Sequence, residues 1–288
     1  MTPQKDDLAV DHEALLGHCH WLVERGCDGV CLFGTTGEAA SFTVGERMTA
    51  LDTLLEGGFP PERLLIGTGC CAIPDTVTLT KHAVKRGAAG VLVLPPYYFK
   101  GVSEEGIVDA HRRVIDDVGP AGLRFFLYHY PYMSGVSLSA GVIKALTDEC
   151  PDTVVGIKDS SGDVENMRTI CESFPQLNAF PGTETLLLDG LNMGAAGCIS
   201  ATINVTSRLA ADIFARREAD EAPVLQDRLT AIRETFDNYP LIEALKHMMA
   251  EHTGREAWRN VRPPIARLTR REGDRLAAEL RALGFSIA

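Results

Sequence analysis

The stretch "VVGIKDSSGD" (154–163) sets a lysine, Lys158, at the end of an apolar run and directly before a polar loop. Lysine is rarely buried, because taking its charge out of water is costly. Two readings of Lys158 are open from the strand alone. In one the ammonium reaches solvent or pairs with Asp159 or Asp163. In the other, desolvation lowers the lysine pKa, and the neutral amine attacks a ketone to form a Schiff base. The protonated imine is an electron sink, so it permits carbon–carbon cleavage or condensation without a metal. As neighbours in a strand, Val154, Gly156 and Lys158 share one face, and Gly156 leaves space beneath the long side chain.

Three further sets carry polar chemistry. "GTTGE" (34–38) offers the Thr35 and Thr36 hydroxyls and the N–H groups of a glycine-flanked turn. It reads either as an anion-binding nest for a carboxylate or as an ordinary strand-to-helix loop. Tyr128 ends the run "FFLY" and is either a proton carrier beside an imine or a packed tyrosine with a satisfied hydroxyl. Tyr97 and Tyr98 follow Pro95 and Pro96, as packing, interface or catalytic residues. His18 and His20 lie two apart in a helical stretch and do not share a face, so no metal site is expected. Ser160 and Ser161 have no histidine in the motif and read as loop hydroxyls, not nucleophiles.

Elements that position these residues follow from hydrophobic patterning. Short branched runs bounded by Gly or Pro occur at 29–34, 64–69, 90–96, 123–131, 154–160, 178–182 and 197–205. They lack strict alternation, as parallel strands buried on both faces do. Amphipathic stretches lie between them, and Thr43 with Glu46 forms a capping-box pattern. The alternation predicts an α/β fold, and seven strands at this spacing suit a (β/α)8 barrel with one strand unaccounted for. A doubly wound sheet competes, but neither GxGxxG after the first strand nor a P-loop is present. Helices at 223–236, 240–252 and 265–284 follow. The expected organisation is a barrel over 1–220 with a C-terminal helical extension over 221–288. In such barrels the site gathers at the C-terminal strand ends, which here hold "GTTGE", "PPYY", "YHYP", Lys158, "GTE" and "GCIS".

The chain has 288 residues, of which 45% are hydrophobic and 23% charged, with a formal net charge of −11. That balance supports a sizeable core and argues against nucleic acid or an anionic membrane as partner. Eight cysteines without CxxC spacing read as reduced thiols. The N-terminal stretch lacks an apolar leader, and no apolar run is long enough to span a bilayer. The expected location is cytoplasmic.

Taken together, "GTTGEAASFTVGER", "LPPYYFKGVSEEG", "FLYHYPYMSGVSL", "VVGIKDSSGD", "GAAGCISATINV" and "RPPIARL" resemble, in this order and across nearly the whole chain, the dihydrodipicolinate synthase / N-acetylneuraminate lyase family of class I aldolases. The resemblance implies a (β/α)8 barrel, a homotetramer built as a dimer of dimers, and no cofactor. It implies that Lys158 forms the imine with pyruvate or another 2-oxo acid, that Tyr128 relays protons and that Thr35 is its hydroxyl partner. Thr36 and Gly37 would hold the carboxylate, Ile199 would add a backbone contact, Ser160 would face the substrate, and Tyr98 would reach a neighbouring subunit's site.

Two departures qualify it. Met133 stands where synthases carry an arginine for the aldehyde's carboxylate, and Asp159 and Ser160 stand where sialic acid lyases carry an aromatic residue and a threonine. The motif looks more like aldolases of 2-keto-3-deoxy sugar acids or 4-hydroxy-2-oxoglutarate. The second departure is at the start: family members usually carry a strand before the Thr2–Pro3 pair at which this sequence begins, so the expectation is either a start further upstream or a barrel that closes in another way. The expected activity is reversible aldol cleavage of such an acid. Synthase-type condensation, a hydro-lyase using the same imine and a non-catalytic 2-oxo acid-binding barrel are the alternatives.

Overall fold

A computed structural model describes residues 1–287. Six parallel strands pair in sequence order: β1 (Val30–Leu32), β2 (Leu64–Gly67), β3 (Gly90–Val93), β4 (Phe125–His129), β5 (Val154–Asp159) and β6 (Asn178–Pro181). Each is followed by a helical segment, so the sheet is apolar on both faces. One face, with Leu32, Ile66, Val91, Val93, Phe125, Leu127, Val154 and Ile157, packs against helix residues such as Leu51, Leu54, Val114, Leu146 and Ile170. The other carries Leu92, Phe126 and Tyr128, with Cys31, Leu65 and Phe180 against them. The capping box at the Val44–Glu56 helix is formed: the Glu46 N–H donates to Thr43 Oγ1 at 3.2 Å and the Thr43 N–H to Glu46 Oε2 at 2.9 Å.

Six strands, and not the seven expected, are present among the described residues. The run 197–205 is not a strand. Its β-branched residues suggested one, but Ile203 opens the helix Ile203–Ala215, whose buried Val205, Ala210 and Ile213 recur at helical spacing. What remains of a ladder is two bonds to β6, from the Ala196 N–H to Ala179 O (2.8 Å) and from the Ile199 N–H to Pro181 O (3.1 Å). Among the described residues no strand precedes β1; residues 1–4 are buried, with Thr2 Oγ1 donating to Gly37 O at 2.7 Å. The eight-stranded expectation therefore holds only as a parallel α/β fold with six strands.

The late helices fall at Ala222–Asp237, Leu241–Thr253 and Arg270–Ala282, and Ile232, Phe236, Leu245, Met249, Leu276 and Trp258 pack them together. Among the described residues no helix is long and apolar enough to cross a membrane.

Candidate active site

Lys158 owes its orientation to an irregularity. The β4–β5 register runs Phe125↔Val154 and then Phe126↔Gly156, so Val155 is an extra residue. Its carbonyl is taken by Asn178 Nδ2 at 2.9 Å. Such a bulge re-aims the side chains that follow it. Val154 consequently packs on the helix side, while Gly156 and Lys158 lie in register with Phe126 and Tyr128 of the inner face. Sharing of one face by Val154 and Lys158, expected from simple alternation, does not occur. The space beside Gly156 is also filled: a Cβ there would stand 2.4 Å from the Phe126 ring.

Lys158 is buried, and its Nζ lies 4.6 Å from the centroid of the Tyr128 ring on the adjacent strand. Tyr128 is buried too, and its hydroxyl shares a 3.2 Å hydrogen bond with Thr35 Oγ1. Burial works to lower the Lys158 pKa, but the Tyr128 phenol, by charge and hydrogen bond, and the Cys31 and Cys198 thiols outweigh it. The lysine is therefore held above its ordinary value, opposite to the expectation from desolvation alone. At rest it is an ammonium, and chemistry on its amine needs a nearby proton acceptor. Both thiols are pushed up by their own burial.

Thr35 and Thr36 sit in a turn that begins from Phe33 at φ +56° and ends at Glu38 at φ +57°. Neither side chain is of the kind that adopts that region freely, and such backbone clusters at functional sites. The Gly37 N–H donates to Gly34 O (3.0 Å) and the Glu38 N–H to Thr35 O (2.9 Å). Among the described residues the N–H groups of Thr35 and Thr36 have no acceptor, which leaves two adjacent donors beside the Thr35–Tyr128 pair. The Thr35 and Thr36 donors of the turn are thus free, and Gly37's is spent.

Other expected residues divide. Ser160 ends β5, its N–H bonded to His129 O at 2.7 Å and its side chain set against Gly182. Ile199 has its N–H committed to Pro181. Tyr98 is not brought to Lys158 of its own chain: it is 75% exposed, edge-on to Phe99, on the loop after β3. On the back of the β4–β5 pair, Asp159 accepts the Ser161 N–H and Asn166 Nδ2, each at 2.8 Å, which fixes the loop after Lys158.

A model of the dihydrodipicolinate synthetase family matches residues 1–283. The chain belongs to this family. It is 36% identical over 248 residues to an uncharacterized DapA-like lyase of Chloroflexus aurantiacus, covering 85% of this chain and 82% of the relative. Among solved structures, dihydrodipicolinate synthase of Agrobacterium tumefaciens superposes with a TM-score of 0.92 at 28% identity, covering 98% of this chain and 96% of the other. The E. coli K12 prophage protein YagE, in complex with pyruvate, superposes at 0.88 with 26% identity, over 98% and 96%. Membership makes this chain an enzyme of the class I aldolase and lyase type.

In this member of the family a further polar group lies at the strand ends. Glu184, fully buried just after β6, is bonded by Ser200 Oγ and meets Arg233 Nη1 at 3.4 Å. Burial raises the Glu184 carboxyl and Arg233 opposes it. Arg233 also donates through Nε to both Asp237 oxygens, at 2.9 and 3.0 Å, so its charge is shared between two carboxylates. The Tyr130 ring, just past the end of β4, stacks 5.8 Å from that of Tyr128, and burial pushes its phenol up. Glu184 and Ser200 were visible in the strand-end segments "GTE" and "GCIS". Arg233 comes from the middle of a late helix, where no local pattern marks it.

Proposed function

We propose that this enzyme is a Schiff-base lyase that reversibly cleaves a 2-keto-3-deoxy acid, or a related 4-hydroxy-2-oxo acid, to pyruvate and an aldehyde. The observation that carries the reading is the in-register pair of Lys158 and Tyr128, with the Tyr128 hydroxyl bonded to Thr35 Oγ1 at 3.2 Å.

The substrate carboxylate sits on the Thr35 and Thr36 N–H groups, with the keto carbon toward Lys158. Lys158 adds to the C2 carbonyl as two of its ammonium protons pass, through the Tyr128 hydroxyl, to the carbonyl oxygen, which leaves as water; the protonated imine remains. The proton of the C4 hydroxyl passes through the Tyr128 and Thr35 hydroxyls to the substrate carboxylate on the turn. The C3–C4 bond breaks, its electron pair passing into the imine to give an enamine, and the aldehyde departs. That proton returns to C3, and hydrolysis of the imine gives pyruvate and restores the Lys158 ammonium. Glu184 and Ser200 face the hydroxyl-bearing end of the substrate. YagE, which binds pyruvate, supports the first half of this scheme. Met133, where synthases of the family carry arginine, disfavours an aldehyde with its own carboxylate, so aspartate semialdehyde is expected to be a poor acceptor. Exposed Tyr98 fits a second copy's site, within a homotetramer.

Borohydride reduction with pyruvate tests the reading. A stable adduct is expected on the peptide containing Lys158, absent in Lys158→Arg, because guanidinium stays charged at usable pH and forms no imine. A panel of 2-keto-3-deoxy acids scored for pyruvate release separates retro-aldol cleavage from loss of water on the same imine. Trapping on another lysine, or full activity in Lys158→Arg, would overturn the proposal.

A further inference from the structure

The carboxylate-binding turn is anchored from the far end of the chain. Glu38, the last residue of "GTTGE", is buried, and its carboxylate is ion-paired with Lys246 of the Leu241–Thr253 helix. Both side chains are fully excluded from solvent. Lys246 Nζ also donates to Asn260 O at 2.7 Å, and the other Glu38 oxygen accepts Gln4 Nε2 at 3.0 Å. Asn260, itself buried, donates through Nδ2 to Lys5 O at 2.9 Å. The network therefore joins the turn, the N-terminal strap and the late helices at one charge pair.

A buried pair of this kind is weak as a source of stability, since desolvation offsets its attraction, but losing one partner leaves an uncompensated buried charge. Its geometric effect is specific. Glu38 stands in the left-handed region, and its own N–H closes the turn on Thr35 O. Holding its carboxylate from outside the sheet fixes the direction in which the Thr35 and Thr36 N–H groups point.

We propose that Lys246 is a positioning residue for substrate binding: through Glu38 it aims the two free N–H groups at the carboxylate of the 2-oxo acid. The pair sits behind the turn and touches no reacting atom, so it acts on binding and not on the bond-making steps. This rests on the reading of Lys158 as the imine-forming residue.

The test uses the full chain and pyruvate as probe, following borohydride trapping against pyruvate concentration. In Lys246→Met the half-saturating pyruvate concentration is expected to rise roughly tenfold to hundredfold, the span of one or two weakened hydrogen bonds to a charged group. The trapping rate at saturating pyruvate should change far less. Because the single variant strands a buried carboxylate, Glu38→Gln/Lys246→Met is measured beside it. That double variant removes both charges, is expected to fold, and should show the same weakened half-saturation. Unchanged half-saturation in a folded variant overturns the proposal, as does a fall confined to the saturated rate. Failure of both variants to fold would make the pair a folding element and overturn it too. Absence of trapping in the unaltered enzyme would instead refute the reading of Lys158, so the two failures are distinguishable.

Discussion

Replacing Tyr128 by phenylalanine removes one oxygen and leaves the ring in place. The ring is what packs: it is buried, stacks 5.8 Å from Tyr130 and lies 4.6 Å from Lys158 Nζ. Apart from its contact with the Lys158 amine, the oxygen has one side-chain hydrogen bond, to Thr35 Oγ1 at 3.2 Å. Losing that bond costs about 1 kcal/mol of stability, and the melting temperature should drop by roughly 2–4 °C. The chemical loss should be far larger. A general acid–base group contributes about 10²–10⁴-fold, equivalent to roughly 3–5 kcal/mol of barrier, and here one phenol serves both imine formation and the C4 proton. A second signature follows from ionisation. The Tyr128 phenol is foremost among the groups holding Lys158 above its ordinary value, so without it the lysine pKa falls. Trapping by borohydride should persist in Tyr128→Phe, slowed, with its pH profile moved to lower pH. Steady-state pyruvate release, trapping rate against pH and thermal melting together decide the case. Turnover within about fivefold of the unaltered enzyme, well inside the expected acid–base loss, would refute the role given to Tyr128.

Two other predictions address the scaffold. Gly67→Ala should damage the site from behind, because the added Cβ would lie 2.1 Å from Phe33 O, a backbone atom two residues before Thr35. A loss of about 1–3 kcal/mol in urea unfolding with weaker pyruvate trapping is expected, and a variant indistinguishable in both would show the contact to be slack. The second concerns acid. Burial pushes His18 down to about 3, against its Asn204 hydrogen bond, so the folded state refuses a proton that the unfolded chain takes up near pH 6.5. Stability should therefore fall as pH drops from about 6.5 toward about 3, by roughly 1.4 kcal/mol per pH unit for this group. In His18→Gln the urea midpoint should decline less steeply over that window; an unchanged slope would remove His18 from the account.

How far the chain could be read in advance differs from element to element. Strands β1 to β6 were legible because each is a short branched run closed by Gly, Pro or a polar loop, the pattern of a sheet covered on both sides. The run at 197–205 carries the same branched residues, but Ile203, Val205, Ala210 and Ile213 serve a helix, and a short apolar run does not declare its period. At the site, Lys158, Tyr128 and Thr35 stood out as polar groups at strand ends, and the structure brings those three together. Tyr98 it leaves exposed on a separate loop.

What alternation could not supply is the parity of β5. Counting by twos from Val154 puts Lys158 on Val154's face, whereas the extra residue at Val155 separates them and sends Lys158 inward beside Tyr128. A bulge is fixed by pairing between strands distant in sequence, so no local pattern contains it. The charge state of Lys158 fails to read locally for the same reason. Burial, which its own strand announces, lowers an amine's pKa, but three groups from β4, β1 and the segment after the Leu187–Asn192 helix reverse the sign. The lysine was recognisable from ten residues; its working state is set by neighbours from three other segments. That is also why Lys246, more than two hundred residues beyond the turn it braces, carries no mark in the sequence around it.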